Sequence, residues 1–355
     1  LEKYQIWHED LRSQIVVIPG NLEQPNLGLS SQQFDELAGT VDRIYHSGAT
    51  VDLIKPYAVL KAANVLGTQE LLKLACQKRL IPLHYISTIG IFGAIGHFTG
   101  AEVIPEAIDI DVSQPFLPVD DGYAQSKWVA EKMINLARSR GIPVSIYRPG
   151  FIVGHSQTGV HNPKDYISRI IKGCIQLGRF PDMETCKEQM IPVDYASQAI
   201  VHLSSKPEQL GKTFHVTPPT GQDLLLSDLF ELLRYYGYAI EKLPYEQWKT
   251  ELMQQVKQSP DNALYPLLPL LTEKVHQQQT LIELYRRCPD YDCQNTLNGL
   301  LDSSIAFSPI KLKLLAVYLP HLIRSGFMPP PSLKFQLALE PKTKPELGSA
   351  IAYPF

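Results

Sequence analysis

A tyrosine and a lysine stand four positions apart in the segment DGYAQSKWVAEKM, as Tyr123 and Lys127. On a helix this spacing puts both side chains on one face, although such pairs are common on helix surfaces by chance. Two hydroxyl residues, Ser87 and Thr88, come earlier, at the end of a predicted strand. A hydroxyl at a strand end, followed by tyrosine and lysine on the next helix, suits the reduction of a carbonyl by hydride.

Each of these side chains would have its own task in such a reaction. The phenol of Tyr123 would donate a proton or hydrogen bond to the oxyanion that develops on the carbonyl. A cationic Lys127 would lower the pKa of the phenol from about 10 and would also hold the ribose of a cofactor. The hydroxyl of Thr88 would fix the substrate oxygen. The pattern therefore indicates chemistry through its order and spacing, since each element alone is weak.

The surrounding sequence predicts the elements that position these residues. Short β-rich runs alternate with helical stretches, which is typical of a parallel sheet covered by helices. The predicted strands cover residues 14–22, 41–48, 81–88, 143–152 and 212–219. The predicted helices cover residues 30–39, 56–78 and 191–205, with one more beginning near residue 123. Ligands bind beyond the carboxyl ends of the strands in such sheets, where this chain has small and polar residues.

The second half of the chain has a different texture. From about residue 220 it is leucine-rich and helical, and no strand is predicted there. We therefore predict an α/β fold: a Rossmann-like, doubly wound parallel sheet over residues 1–217, with residues 155–190 contributing to the substrate side. A helical substrate-binding domain is predicted over residues 218–330, followed by a tail or linker at residues 331–355.

The composition excludes several classes of function. With 355 residues, a net charge of -3 and no run of Lys or Arg, the chain is not expected to bind nucleic acid. No apolar stretch reaches the roughly 18–20 residues that span a bilayer. No export signal is visible, and the five scattered cysteines are expected to be reduced thiols rather than a metal site. These observations predict a cytoplasmic protein without a metal or a membrane partner.

Several segments together resemble one family. They are HSGATVD (46–52), NVLGTQELLKLA (64–75), HYISTIGIFG (84–93), YAQSKWVAE (123–131), RPGFIVG (148–154) and IPVDYASQAI (191–200). The chain resembles an extended short-chain dehydrogenase/reductase, and more narrowly the thioester reductase domains that end nonribosomal peptide and polyketide assembly lines and carboxylic acid reductases. PYEQWKTEL (244–252), NALYPLLPLL (262–271) and NTLNGLLDSS (295–304) resemble the helical substrate domain of that family.

The resemblance implies a catalytic trio and a cofactor site. The trio corresponds to Thr88, Tyr123 and Lys127, and the cofactor is NADPH. The implied cofactor contacts are Asn21, Leu22, Ser47, Gly48, Ala49, Asn64, Ser87, Tyr123, Lys127, Pro149, Gly150 and Phe151. The implied partner is a phosphopantetheine-bearing carrier domain with its acyl or peptidyl thioester.

Two departures from the family pattern bear on the cofactor. The sequence reads Gly20-Asn21-Leu22 where the family usually has Gly-Asp-Leu. The glycine-rich pyrophosphate turn that opens the family, and the arginine that favours NADP, are not found in this sequence. From this we expect an N-terminal βαβ unit to be absent and NADPH to bind weakly to the chain as given. The glycines at 90, 93 and 96 are not followed by helical periodicity, so they predict a substrate-side loop.

Two further polar residues are expected to be structural. Glu131, four residues after Lys127, is interpreted as a structural partner or solvated side chain rather than a catalytic acid. His84 lies in an apolar strand and is expected in the core.

The pattern and the resemblance predict an NAD(P)H-dependent reductase that releases a carrier-bound acyl or peptidyl thioester as an aldehyde or alcohol. A fatty acyl-CoA reductase would use the same chemistry on a soluble thioester. A truncated, non-catalytic binding module is the alternative from another class. A sugar-nucleotide epimerase or dehydratase is less favoured, because the leucine-rich region offers few polar groups for a sugar.

Overall fold

The structure, a computed structural model, describes Tyr4 and residues 6–183, 185–258 and 261–331. In chain order the strands are β1 (Ile44–His46), β2 (Leu83–Ile86), β3 (Val103–Ile104), β4 (Val144–Pro149), β5 (Phe151–Val153), β6 (Arg179–Pro181), β7 (Lys187–Glu188), β8 (Met190–Pro192), β9 (Thr213–Val216), β10 (Leu224–Leu225), β11 (Glu241–Leu243), β12 (Lys274–His276), β13 (Gln279–Thr280) and β14 (Asp290–Tyr291).

The helices frame these strands. They are α1 (Ser31–Thr40), α2 (Tyr57–Lys61), α3 (Gly67–Cys76), α4 (Ile95–Thr99), α5 (Gly122–Ser139), α6 (Tyr166–Leu177), α7 (Val193–Ser204), α8 (Leu226–Tyr236), α9 (Tyr245–Gln258), α10 (Leu268–Thr272), α11 (Leu281–Tyr285), α12 (Gln294–Leu300) and α13 (Leu312–Arg324). A π-helical turn, Ala62–Leu66, joins α2 to α3. Among the described residues, no helix combines the length and apolar character needed to cross a membrane.

The central sheet is parallel and has the order β1-β2-β4-β9. Every residue of β4 is buried, as expected for a strand that is covered on both faces. Helices α1, α3 and α5 pack on one face, where Phe34 and Ile134 meet the strand side chains of Leu83 and Ile146. Helix α7 packs on Tyr147 and Phe214 in a separate apolar cluster. This is the predicted doubly wound α/β class, which is confirmed.

Local sequence signals explain the ends of the helices that matter here. Ser30 forms a capping box with Gln33 at the start of α1. Asp121 caps α5 by accepting a hydrogen bond from the backbone N–H of Ala124. The helix predicted over residues 56–78 is correct in position, but the π-helical turn divides it into α2 and α3.

One predicted strand is wrong. Residues 14–22 form no strand, and Val16 and Val17 are 83% and 80% exposed. The chain instead folds back on itself, with the backbone N–H of Asn21 donating to the carbonyl of Leu27 at 2.7 Å. An apolar β-rich run forms a strand only where a neighbouring strand pairs with its backbone, and none of the described residues does so. The other four predicted strands are confirmed, although 143–152 is divided at Gly150 into β4 and β5.

The expectation that strands disappear after residue 220 is also wrong. The short strands β10, β11 and β14 pair with β7, β6 and β3 from the first half of the chain. Strands of two or three residues are too short to show alternation in the sequence, so the pattern could not reveal them. Their pairing ties the C-terminal region closely to the first half of the chain.

One apolar cluster shows where residues 155–190 pack. Ile170 and Phe180 share a cluster with Phe230, Trp248 and Leu319 of the C-terminal region. Residues 155–190 therefore pack against the C-terminal region, while the domain boundaries stay a prediction. Of the predicted tail at 331–355, residues 332–355 lie outside the described residues.

The segment around α12 returns to the sheet. The carboxylate of Glu106 accepts hydrogen bonds from the backbone N–H groups of His215 and Asn295, at 2.8 and 2.6 Å. Thr296 donates its hydroxyl to the carbonyl of His215 at 2.8 Å. Leu300 packs in the cluster that contains Phe214 of β9. Helix α12 therefore belongs physically to the sheet, although it comes late in the chain.

Candidate active site

The structure brings the predicted hydroxyl and phenol to one cleft. Thr88 follows β2 and caps a 3₁₀ turn, its Oγ1 accepting a hydrogen bond from the backbone N–H of Gly90 at 3.0 Å. Tyr123 lies in the first turn of α5. Both side chains line a cleft of about 150 Å³. Because a threonine hydroxyl that accepts through its oxygen still has its own hydrogen, Thr88 keeps a donor for a ligand.

Lys127 lies behind this cleft and is 3% exposed. Its Nζ donates to the backbone carbonyl of Ile86 at 2.8 Å and lies 4.2 Å from the centre of the Tyr85 ring. Burial lowers the pKa of Lys127 to about 7, and the charge of Glu131 partly offsets this effect. The lysine therefore connects α5 to the carboxyl end of β2, two residues before Thr88.

The expected lowering of the Tyr123 pKa is wrong for this geometry. Burial raises the pKa of Tyr123 well above its usual value, and the nearby charge of Asp121 adds to the rise. The Lys127 ammonium does not offset the burial, since it is itself desolvated and directed at Ile86 and Tyr85. Tyr123 is therefore protonated at neutral pH, which suits a hydrogen-bond donor.

Glu131 is a structural partner, as predicted. Its Oε1 accepts from Nε and from a terminal nitrogen of Arg148, at 3.0 and 2.6 Å, and both side chains are buried. Arg148 also contacts Nε2 of His215 at 3.1 Å. His84 is buried in the core, as predicted, with its Nδ1 3.1 Å from the hydroxyl of Tyr147.

Asn64, predicted as a cofactor contact, has its side-chain amide fully used by the protein. Its Oδ1 accepts from the backbone N–H of Thr50 at 2.8 Å, and its Nδ2 donates to the carbonyl of Thr50 and to Ser126. The amide therefore fixes the loop that follows β1 against α5. The direct cofactor role of this residue stays a prediction.

The loops at the carboxyl ends of β1 and β4 are closely packed at their glycines. A Cβ at Gly48 would lie 2.9 Å from Cδ1 of Leu22. A Cβ at Gly150 would lie 2.0 Å from the carbonyl oxygen of Gln189, so only glycine fits there. Gly150 and Phe151 line the same cleft as Tyr123.

The polar atoms at this edge fit the nicotinamide end of a dinucleotide. Ser87 is buried, and its Oγ has no hydrogen-bond partner in the described structure. An unsatisfied buried hydroxyl at a strand end is a ready donor or acceptor for a ligand. Gly150 and Phe151 offer a small residue and a flat side chain beside Tyr123. The predicted contacts at Ser47, Ala49 and Pro149 adjoin these positions in the chain and stay predictions, as does Asn21.

The opposite wall of the cleft comes from the C-terminal region. It is formed by Leu270, Leu281, Ile282, Tyr285, Cys288 and Tyr291. This mainly apolar wall faces Thr88 and Tyr123 across the cleft. Gly90 and Gly93 also line the cleft, in agreement with the expected substrate-side loop. Gly93 has φ +45, and a Cβ there would lie 2.1 Å from a carboxylate oxygen of Asp120.

Acidic residues near the cleft were missed by the sequence analysis. The hydroxyl of Tyr285 lies 3.4 Å from Oδ1 of Asp120 and 3.3 Å from Oδ2 of Asp121. Burial raises the pKa of Asp120 to about 7 and that of Asp121 to about 6. Asp121 was readable as a helix cap immediately before the first turn of α5. Glu188 also lines the cleft. Its place there could not be predicted from the sequence, because no helix or strand spacing relates it to Tyr123.

Comparison with known proteins places this geometry in a family. Residues 1–200 match the model of an NAD-binding family described as male sterility protein. The chain belongs to this family. It is also 37% identical to the terminal R domain from the myxalamid PKS-NRPS biosynthetic pathway, a crystal structure that it matches with a TM-score of 0.82. That match covers 93% of this chain and 80% of the R domain.

Two curated relatives of this chain extend the comparison. The chain is 39% identical over 336 residues to aldehyde reductase lnaA of Aspergillus flavus, and 37% identical over 330 residues to nonribosomal peptide synthetase asaC of the same organism. The matches cover 92% and 93% of this chain. The chain spans only 32% of the length of each relative. The resemblance to terminal reductase domains of the extended short-chain dehydrogenase/reductase fold is confirmed, and so is the class of cofactor, a nicotinamide dinucleotide.

Proposed function

We propose that this chain is an NADPH-dependent thioester reductase. Its substrate is an acyl or peptidyl chain on the phosphopantetheine arm of a carrier domain, and its product is an aldehyde or, after a second reduction, an alcohol. The observation that carries the proposal is the position of Thr88 and Tyr123 on one wall of a cleft whose other wall is apolar. An acyl chain matches such a wall better than a sugar does.

The protein residues have separate roles in this proposal. A reduced nicotinamide, when bound, supplies the hydride. The protonated phenol of Tyr123 and the free O–H of Thr88 donate hydrogen bonds to the carbonyl oxygen as negative charge develops on it. The C–S bond then breaks as the carbonyl re-forms, the thiolate leaves and takes up a proton, and the aldehyde is released. Donors that are fixed in advance lower the barrier because they need no reorganisation during the reaction.

Lys127 and its neighbours hold the cofactor side of the site in this proposal. The Nζ of Lys127 uses one N–H on the carbonyl of Ile86, which leaves donors for a ribose hydroxyl. We propose Ser87 and the Gly150–Phe151 pair as contacts of the nicotinamide half. Leu22, packed against Gly48, supports the loop after β1, where Ser47 and Ala49 are proposed to meet the rest of the cofactor.

We propose the following domain organisation from the way the segments pack. Residues 1–217 form the cofactor domain and residues 218–330 the substrate domain, with α12 of the latter packed on the sheet of the former. Residues 155–190 contribute to the latter, since Ile170 and Phe180 share its apolar cluster.

The experiment offers the chain one acyl group in three forms: on a carrier domain, on pantetheine and on coenzyme A. NADPH consumption and trapped aldehyde are measured together. We expect one aldehyde for each NADPH, with the carrier-bound thioester used best. Preference for the coenzyme A thioester would instead support an acyl-CoA reductase. Lack of aldehyde from all three forms, with NADPH or NADH, would overturn the proposal in favour of a binding module.

A further inference from the structure

A buried carboxyl group on the cleft wall has no role in the reaction described above. Glu188 lies on β7, is 3% exposed and lines the same cleft as Thr88 and Tyr123. Carboxyl groups are rarely buried without a partner, because burial removes the hydration that stabilises their charge. The surroundings of Glu188 therefore decide what it does.

The protein leaves Glu188 nearly without partners. Its Oε1 accepts only from the thiol of Cys186, at 3.8 Å, and within the described ranges its other oxygen has no hydrogen bond. The adjacent Lys187 is used elsewhere, in ion pairs with Asp290 and with Asp223, the latter at 3.5 Å. Lys187 also lines the cleft, but Asp223 and Asp290 hold its ammonium.

The other ionisable groups near Glu188 do not neutralise it. Cys186 and Cys288 are thiols whose pKa values are raised by burial, so they are uncharged at neutral pH. Tyr166 is uncharged for the same reason. The guanidinium of Arg286 lies over the ring of Tyr245, 4.4 Å from its centre.

The cleft therefore has an acidic lining, and no described cation forms an ion pair with Glu188, because Lys187 pairs with Asp223 and Asp290 and Arg286 stacks on Tyr245. Besides Glu188, the ionisable carboxyl groups at or next to this cleft are Asp121, which lines it, and Asp120, which shares the Tyr285 hydroxyl with Asp121. The remaining wall is mainly apolar, and an apolar environment strengthens the attraction between opposite charges. A positively charged group that enters the cleft is thus favoured, and a negatively charged group is disfavoured.

We propose that Glu188 binds a protonated amine on the acyl chain of the substrate, so that amine-bearing acyl or peptidyl thioesters are the preferred substrate class. This inference rests on the proposed function and names the substrate of the same cleft. The amine and the carboxylate form a charge-assisted hydrogen bond, which is among the stronger polar contacts in proteins.

A proton is released when the amine binds. Burial raises the pKa of Glu188 to about 8, so its carboxyl is mostly protonated at pH 7 before the ligand arrives. An ammonium beside it favours the carboxylate and lowers this pKa again. Binding of an amine-bearing ligand at pH 7 therefore releases a proton from Glu188, whereas binding of an uncharged ligand of the same shape does not.

The test uses ligands that bind without reacting, namely amides of pantetheine in which nitrogen replaces the thioester sulfur. Two matched pairs are compared by calorimetry: alanyl with isobutyryl, and 6-aminohexanoyl with heptanoyl. We expect the amine-bearing member of at least one pair to bind at least about tenfold more tightly. Repeating the titration in buffers of different ionisation enthalpy is expected to show proton release for that member alone.

Variants assign the effect to Glu188. We expect Glu188→Gln to remove both the preference and the proton release, while Glu36→Gln, an exposed carboxyl on α1, keeps both. A preference that survives in Glu188→Gln would overturn the inference. If that variant does not fold, equal binding of both members of each pair to the wild-type chain would overturn it as well.

The failure of the inference can be distinguished from that of the proposed function. A wild-type chain that reduces both isobutyryl and alanyl pantetheine thioesters, but binds the two members of each amide pair equally, would refute the inference alone. A chain that reduces neither would refute the proposed function.

Discussion

The chain has two groups of buried charges, and their hydrogen bonding differs. Behind the cleft, Glu131 of α5 and Arg148 of β4 form an ion pair with two hydrogen bonds, and Arg148 also contacts His215. At the cleft, Asp120 and Asp121 share one tyrosine hydroxyl. The first group directs its hydrogen bonds at the protein and fixes the position of α5, although Oε2 of Glu131 has no hydrogen-bond partner in the described part of the chain. The second keeps part of that capacity for a ligand, at a cost in stability. The same residue types therefore serve positioning in one place and recognition in the other.

The strongest test of this difference is Arg148→Met. It leaves Glu131 buried without its cation, which we expect to lower the free energy of unfolding by about 3–5 kcal/mol. Urea denaturation measures this change. The double variant Glu131→Leu/Arg148→Met should recover most of the loss. Lys132→Met is the exposed control, since Lys132 pairs with Asp111 at the surface, and it should change stability by about 1 kcal/mol or less.

Tyr123→Phe tests the chemistry that the positioning group supports. We expect turnover of a pantetheine thioester to fall by about 10²–10³, because one oxyanion donor is lost. Cofactor affinity should stay within a few-fold, since the ring and its packing remain. Single-turnover NADPH oxidation measures the rate. Tyr235→Phe, at a tyrosine that is 70% exposed, is the control. Equal rates in both variants would remove Tyr123 from the mechanism.

Lys127→Ala should act on the cofactor more than on the substrate. We expect NADPH to bind about tenfold or more weakly, because a charged donor to the ribose is lost. The pH dependence has a definite sign. The ammonium is lost as pH rises through about 7 in the wild type, so its cofactor affinity should fall over that range, and the variant should not show this fall. Fluorescence titration at several pH values decides the point.

Glu188→Gln tests what a third buried carboxyl group at the cleft costs in stability. Burial raises the folded-state pKa of Glu188 to about 8, from 4.5, so the folded protein binds the proton more tightly than the unfolded chain. Its contribution to stability is therefore lost as pH rises from about 5 to about 8. Relative to the wild type, the variant should gain on the order of 2 kcal/mol over that range. A difference that stays constant with pH would show that Glu188 is not desolvated.

Tyr285→Phe is expected to have the smallest effect. The loss of the hydroxyl should lower the free energy of unfolding by about 1 kcal/mol. It should also raise the pKa values of Asp120 and Asp121 further, because the hydrogen bonds from the hydroxyl lower them. An NMR titration of the aspartate carboxyl groups, with Tyr265→Phe as an exposed control, measures the shift. Unchanged pKa values would mean that the hydroxyl does not bond to these carboxyl groups.

The positions of Thr88 and Tyr123 were predictable because they depend on local order. A strand end followed by a capped helix brings its residues to one sheet edge whatever the rest of the chain does. The direction of the Tyr123 pKa was not predictable in this way. It depends on burial and on the direction of the Lys127 side chain, which are tertiary properties. The position of Glu188 at the cleft was missed for the same reason, since β7 pairs with β10 from a distant part of the chain.

The strand predicted over residues 14–22 failed for a related reason. Its composition is right for a strand, but pairing is a property of two segments, and composition describes only one. The capping signals of α1 and α5, by contrast, lie within a few residues of the element that they control. Local signals were therefore reliable here, and signals that required a distant partner were not.

The return of α12 to the sheet has a consequence for protein engineering. A chimaera that exchanges substrate domains at a junction near residue 217 would also replace the segment whose backbone N–H at Asn295 and hydroxyl at Thr296 meet Glu106 and His215. The recipient sheet would then depend on foreign residues for those hydrogen bonds. A graft that keeps residues 290–300 of the host and exchanges only the stretches around them would respect the boundary that packing draws. In this chain the modular unit is discontinuous in sequence.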